Sequence, residues 1–240
     1  MALVQSATQV STAASSSTAP SITLNGVTAG NCLVAVASIG DSSLTYTISS
    51  VTDGTNTYTV RSGVCTDANQ RLYAVVAYAL NVSAGNFTVA FNLSGASGGA
   101  NRYFNLGLYE FSSSPNSLAE DVWDANDDID SSGATDANAG PITTTDAGDL
   151  IVGCAALNAN DPAATWSSPT SWTNTYRQSD STGFYGMDSG YWYPGSIQTT
   201  YTPQWVHDNG GGYESCAVVV ALKPVVGGGG GGSRPMFRGS

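Results

Sequence analysis

The decapeptide SSVTDGTNTY (Ser49 to Tyr58) returns as SSPTSWTNTY (Ser167 to Tyr176), with seven of ten positions identical at an offset of 118. The same offset lays AGNCLVAVAS (Ala29 to Ser38) on AGDLIVGCAA (Ala147 to Ala156), and Val4 and Ala7 on Val122 and Ala125. A constant offset across separated segments marks an internal repeat, which constrains architecture before any local reading. It predicts a tandem duplication of roughly 115 residues per copy, the size of one ordinary domain.

Each copy reads as strands. NFTVAFNL sets Phe87, Val89, Phe91 and Leu93 on one face and Asn86, Thr88, Ala90 and Asn92 on the other, the period of a half-buried strand. Tyr58 and Val60 alternate in the same way in TYTVR. NCLVAVASI, DLIVGCAAL and SCAVVVALK are instead apolar at nearly every position, as expected of central strands or of strands covered on both faces, the sister copy being one candidate cover. Turn chemistry separates the runs in TDGTN, SAGN, SGASGGAN and DNGGG, and no window has helical periodicity. The expected fold is all-β: two tandem duplicated antiparallel β-sandwiches of jelly-roll or immunoglobulin-like type, about eight strands each, with a Gly-rich C-terminal arm. The boundaries fall at 1–115 and 116–224 for the two copies and 225–240 for the arm, with SSSPNS (Ser112 to Ser117) as the joint.

Charge narrows the function. Only 10% of the 240 residues are charged, against about 25% in an average protein. The seven basic residues are scattered and the net charge is −11, which argues against nucleic acid as a partner. An anionic body is repelled by anionic membranes, and no apolar run approaches the ~20 residues of a membrane span. The opening MALVQSATQVSTAASSSTAPS lacks the basic and apolar regions of a secretory leader. The expectation is a protein not secreted by that route, or one whose leader lies outside this sequence.

Several groups are candidate sites. Asp124, Asn126, Asp128 and Asp130 alternate in DVWDANDDIDSSGATD, and closely spaced carboxylates suit Ca²⁺. Ile129, however, stands where an EF-hand loop needs glycine, and a solvated acidic connection is the alternative. His207, the sole histidine, is followed by Asp208, but neighbours on a strand point apart and no GxSxG elbow exists, so no catalytic residue is expected. Cys154 with Cys216 and Cys32 with Cys65 are possible disulfides, with buried free thiols favoured because the cysteines do not match between copies. Tyr191, Trp192, Tyr193 and Trp205 are possible glycan contacts; the alternative places them in the core or at a contact. The N-glycosylation patterns at Asn81, Asn86 and Asn92 read as chance occurrences in an Asn/Ser/Thr-rich chain.

The chain ends GGGGGGSRPMFRGS (Gly227 to Ser240). Six glycines make a tether of up to ~20 Å. Beyond it, Arg234, Pro235, Met236, Phe237 and Arg238 form a basic and apolar peptide suited to docking on an acidic neighbour; the alternative is a disordered end. An acidic, Gly/Ser/Thr/Asn-rich repeat with TAGNCLVAVAS and NTYTV strands and such an arm resembles phage virion proteins: decoration, fibre and tail-associated subunits. The tandem arrangement is also similar to double-jelly-roll major capsid proteins, whose subunits are longer. The resemblance implies a non-enzymatic structural protein of the virion, with no cofactor unless Ca²⁺ binds. Its partners would be copies of itself and other virion proteins. A glycan-binding adhesin, or a subunit of an extracellular filament, is the alternative.

Overall fold

A computed structural model describes residues 1–10, 18–41, 46–66, 71–95, 102–113, 117–128, 136–157, 166–178, 186–207 and 214–225. Among them are sixteen strands and no helix. The first eight are β1 (Leu3–Val10), β2 (Ser21–Val27), β3 (Cys32–Asp41), β4 (Thr47–Thr52), β5 (Thr59–Thr66), β6 (Arg71–Ala79), β7 (Gly85–Ser94) and β8 (Arg102–Phe111). The second eight are β9 (Ser117–Asp128), β10 (Asp136–Asn138), β11 (Leu150–Leu157), β12 (Trp166–Ser167), β13 (Thr173–Gln178), β14 (Gly186–Trp192), β15 (Gln204–His207) and β16 (Ser215–Val225).

The two sets share one wiring. A five-stranded sheet β1-β8-β3-β6-β5 and a three-stranded sheet β2-β7-β4 in the first half are repeated as β9-β16-β11-β14-β13 and β10-β15-β12 in the second. Every strand number is raised by eight, and all pairings are antiparallel. The pairs β1·β8, β2·β7 and β3·β6 are those of a long hairpin rolled up on itself, which is the jelly-roll alternative of the two expected topologies. β5 joins β6 rather than β4, so the layers hold five and three strands.

The apolar-throughout strands are explained by what covers them. On β3, Leu33, Ala35, Ala37 and Ile39 pack against the three-stranded sheet of their own half, while Cys32, Val34 and Val36 face the other five-stranded sheet. On β11, Ile151, Ala155 and Leu157 face inward and Leu150, Val152, Cys154 and Ala156 meet the first half. The molecule is therefore four layers deep, its two five-stranded sheets sharing one apolar seam. The seam is asymmetric: β5 and β6 of the first half lie against β9, β11 and β16 of the second, and β3 against β11, whereas β14 meets β3 and β8 only lightly. β7 keeps the expected alternation, with Phe87, Val89, Phe91 and Leu93 buried.

Three details depart from the sequence reading. Asp124 to Asp128 is not a loop but the end of β9, paired with β16 from Asp124↔Val219 to Asp128↔Ser215. The offset of 118 holds for β3 and β11 but slips by one in the first strands. Cys32 and Leu150, 118 apart, pair with Phe111 and Leu222, and the bulge one step further on leaves out Val4 in β1 and Asp121 in β9. Val4 thus corresponds to Asp121, not Val122. The TNTY motif also slides: it precedes β5 in the first half and lies inside β13 in the second, where Trp172 N–H donates to Pro169 O and closes a shorter turn.

The cysteines are all free and buried. Cys154 and Cys216 lie on adjacent strands, but Cys154 is opposite Val218 and Cys216 opposite Ala156, a diagonal separation of ~7 Å or more that is too long for a disulfide. Cys32 and Cys65 sit on β3 and β5 with β6 between them. Burial pushes the Cys32, Cys154 and Cys216 thiols well above their ordinary pKa, so they pack as small apolar groups. The native protein is expected to resist a thiol-specific reagent and to release all four thiols in denaturant; fast native labelling of any of them contradicts this packing.

Candidate functional site

The last strand, β16, precedes the C-terminal arm in sequence, and near its end Lys223 meets two carboxylates. Along β16 the side chains alternate: Cys216, Val218, Val220 and Leu222 enter the seam, while Ala217, Val219 and Ala221 face the three-stranded sheet. Lys223 continues the second row. It is the only lysine of the chain.

Lys223 is flanked by a carboxylate from each neighbouring strand. On one side, the β9 bulge between the pairs Ala221↔Val122 and Leu222↔Glu120 leaves Asp121 as an extra residue. Without the bulge Asp121 would stand opposite Leu222 and point into the seam; with it, Asp121 turns to the Lys223 face. Lys223 Nζ donates to Asp121 Oδ1 at 2.9 Å. On the other side Asp149 immediately precedes Leu150, the partner of Leu222, which sets it across from Lys223. Thr145 completes the group: its N–H donates to Asp121 Oδ2 at 2.5 Å and its hydroxyl to Oδ1. Lys223 Nζ also reaches Thr145 Oγ1 at 3.2 Å.

The electrostatics separate the two acids. Burial works against ionisation of Asp121, but hydrogen bonds from Thr145 and Lys223 outweigh it and hold the carboxyl below its ordinary pKa. Asp149 is fully buried, and neither of its oxygens has a hydrogen-bond donor among the described residues. Burial first, and then the adjacent Asp121 carboxylate, push it up to about 7. The bond to Asp121 raises the Lys223 pKa. The same bulge exists in the first half, where Val4, Asn31 and Ser112 occupy the positions of Asp121, Asp149 and Lys223. The fold supplies the geometry in both halves; at these three positions only the second half carries charges, while in the first the Asn31 amide donates to the buried Glu110 carboxylate at 2.6 Å.

The other candidate residues are dispersed. Asp124 and Asn126 share a face of β9, but alternate residues of an extended strand stand ~7 Å apart, whereas Ca²⁺ ligands crowd within ~2.5 Å of the ion. Asp124 Oδ1 accepts the Ala125 N–H, and its carboxylate lies against the Gly140 backbone. The side chain of Asp128 and all of Asp130 lie outside the described residues, and no metal-binding group of three occurs among those described. Of the aromatic set, one member lies in the core and the other three are half-buried. Trp205 is fully buried, Tyr191 packs edge-on to Phe111 at the seam with Tyr193 beside it, and Trp192 lies against Tyr201. Asn86 is exposed, and its Oδ1 accepts the Gly26 N–H. His207 ends β15, its side chain outside the described residues, as is the whole arm, Arg234 to Arg238 included.

Two polar groups had no signal in the sequence because their members are far apart in it. Glu120 binds Arg61 through two bonds of 2.7 and 2.8 Å and accepts Tyr78 Oη at 2.5 Å, while Arg61 also covers the Trp123 ring at 4.7 Å. This links β5 and β6 of the first half to β9 of the second. Buried Asp188 accepts from Ser168, Asn174 and Arg177 beneath β13. A shallow cleft of about 360 Å³ opens beside Ser168, lined by Pro169, Tyr201 and Gln204. It holds hydroxyls and amides but no acid–base pair. Comparison with protein-family models, curated proteins and solved structures returns no match.

Proposed function

We propose that the chain is a structural and assembly subunit, a repeated component of a virion or of a comparable extracellular assembly. Its neighbours are linked by the arm that leaves β16. The observation that carries this reading is the seam: two sandwiches fused through an extended apolar interface make a four-layer block, suited to bearing load rather than to opening around a substrate. The arm begins immediately after Val225, at an end of that block, so residues 226–240 can reach an adjacent copy. Arg234 and Arg238 supply positive charge to a chain of net charge −11, so a second copy is an electrostatically suitable acceptor.

The test compares the full chain with one ending at Val225 by light scattering and negative-stain microscopy. Defined particles or fibres are expected from the full chain and a monomer from the shorter one. Salt should weaken the assembly, because the exposed charges of the arm are screened within ~10 Å at 0.1 M. Two monomers at high concentration would refute linkage of copies through the arm.

A further inference from the structure

We propose that Lys223 and Asp121 become joined by an intramolecular isopeptide bond, formed without any other enzyme, with Asp149 as the proton-transfer group. The inference does not depend on the assembly reading. It rests on an amine and a carboxyl already in contact, beside a buried acid whose presence the fold does not explain.

The reacting atoms are placed for the chemistry. Nζ lies 2.9 Å from Asp121 Oδ1, in direct contact with the carboxyl it would attack. The Asp121 side chain is only 1% exposed, so water has little access to compete. Oδ2 is held by the Thr145 N–H, a fixed backbone donor aimed at the oxygen on which charge develops when Cγ becomes tetrahedral. Asp149 has no donor among the described residues, is influenced by the neighbouring Asp121 carboxyl, and retains a proton to near-neutral pH. An acid of that kind, next to the reacting carboxyl, can transfer protons in both directions.

The step balances with no further reactant. Nζ gives up a proton to Asp121 Oδ1, which turns the ion pair into an amine and a carboxylic acid, and its lone pair attacks Cγ. The Nζ–Cγ bond forms and Oδ2 carries the negative charge against Thr145. As that charge collapses, the Cγ–Oδ1 bond breaks, and Oδ1 leaves as water with a proton from Asp149. Asp149 recovers a proton from Nζ. An ammonium and a carboxylate have become an amide and one water; nothing is oxidised or reduced.

The first half acts as an internal control. It carries the same bulge, yet has Val4, Asn31 and Ser112 at the three positions, so the jelly roll does not require a charged trio there. An ion pair alone would be served by Asp121 and Lys223, and a lone buried acid between them only disfavours it. The bond would tie the first strand of the second half to its last, closing a loop of 102 residues at the root of the arm. A tether pulled by a neighbour would then load a covalent link rather than strand pairing alone.

The experiment is intact-mass measurement of the purified full chain under denaturing conditions, with fragment spectra to locate any loss. The expected result is a mass one water below that of the sequence, mapped to a branched peptide joining Asp121 and Lys223. Lys223→Arg keeps the ion pair but cannot form this amide, and should restore the full mass and lower the melting temperature by on the order of 10 °C. Asp149→Asn should leave most chains unlinked while the far-UV spectrum stays β-rich. If Asp149→Asn does not fold, the wild type and Lys223→Arg still decide the bond. Full sequence mass for folded wild type after prolonged incubation at neutral pH overturns the proposal. So does a water loss that maps elsewhere, for example to Asp53-Gly54. Wild-type linkage in a folded Asp149→Asn protein refutes the role given to Asp149.

Discussion

Trp205→Ala is expected to lower the unfolding free energy by about 3–5 kcal/mol, the range for truncating a large buried aromatic. The three-stranded sheet of the second half is thin, with strands of three, four and two residues, and Trp205 fills the space beneath it. The hole is made to fit. A methyl at Gly153 on β11 would stand 2.7 Å from the Trp205 ring and 2.9 Å from Trp172, so glycine is needed there for the indole to lie flat on the strand. Trp172 meets Trp205 edge-on at 5.4 Å and is itself anchored by a bond from Nε1 to Tyr201 Oη. Backbone bounds the cavity on the Gly153 side and cannot collapse into it, which places the cost toward the upper part of the range. Trp205→Phe should cost less, about 1–2 kcal/mol, because it keeps the ring and removes an indole N–H that has no acceptor among the described residues.

The same variant tests whether the halves unfold together. All five tryptophans lie in the second half, at positions 123, 166, 172, 192 and 205, so their fluorescence reports that half alone, while far-UV dichroism reports both. The shared seam predicts coincident midpoints in the wild type and a common downward shift in Trp205→Ala. Separate midpoints, with only fluorescence displaced, would mean two independently folding sandwiches.

What could be read from the sequence follows the range of the interaction involved. β3, β11 and β16 declared their double burial because each local run is apolar on both faces, and β7 declared its single burial by alternation. Trp205 could be read as a surface contact or as core, because QWVH offers apolar residues to either face. What decides between them is the hole at Gly153, some fifty residues away in sequence. The DANDD segment looks like a loop by composition, yet β16 recruits it as an edge strand, and its charges suit an edge that must not pair further. The Lys223 site was half visible. A single lysine stands out in any composition, but its partners lie 102 and 74 positions away, and the bulge that turns Asp121 toward it leaves no trace in local sequence. Free cysteines could be favoured from mismatched positions alone, whereas the diagonal register that keeps Cys154 from Cys216 is a property of the sheet.

Val152→Asp is expected to be the most damaging single change in the seam, while the same exchange at Val4 should be nearly silent. Val152 is 2% exposed on the central strand β11, its side chain between two sheets and surrounded by apolar groups. Val4 is 50% exposed at the bulge of edge strand β1. A carboxyl at position 152 gains no donor and loses valine's packing, for a cost on the order of 5 kcal/mol, a large part of the 5–15 kcal/mol that holds a typical domain together. The pH dependence identifies the cause. Burial raises the folded-state pKa of the new acid above its unfolded value near 3.9. The folded protein then holds a proton that the unfolded chain releases, and stability falls as pH rises between those two values. Val152→Asp should accordingly melt higher at pH 4.5 than at pH 7.5, relative to wild type at each pH, whereas Val4→Asp should track wild type within about 0.5 kcal/mol at both. A Val152→Asp protein as stable as wild type at neutral pH would mean that the two five-stranded sheets do not meet through this face.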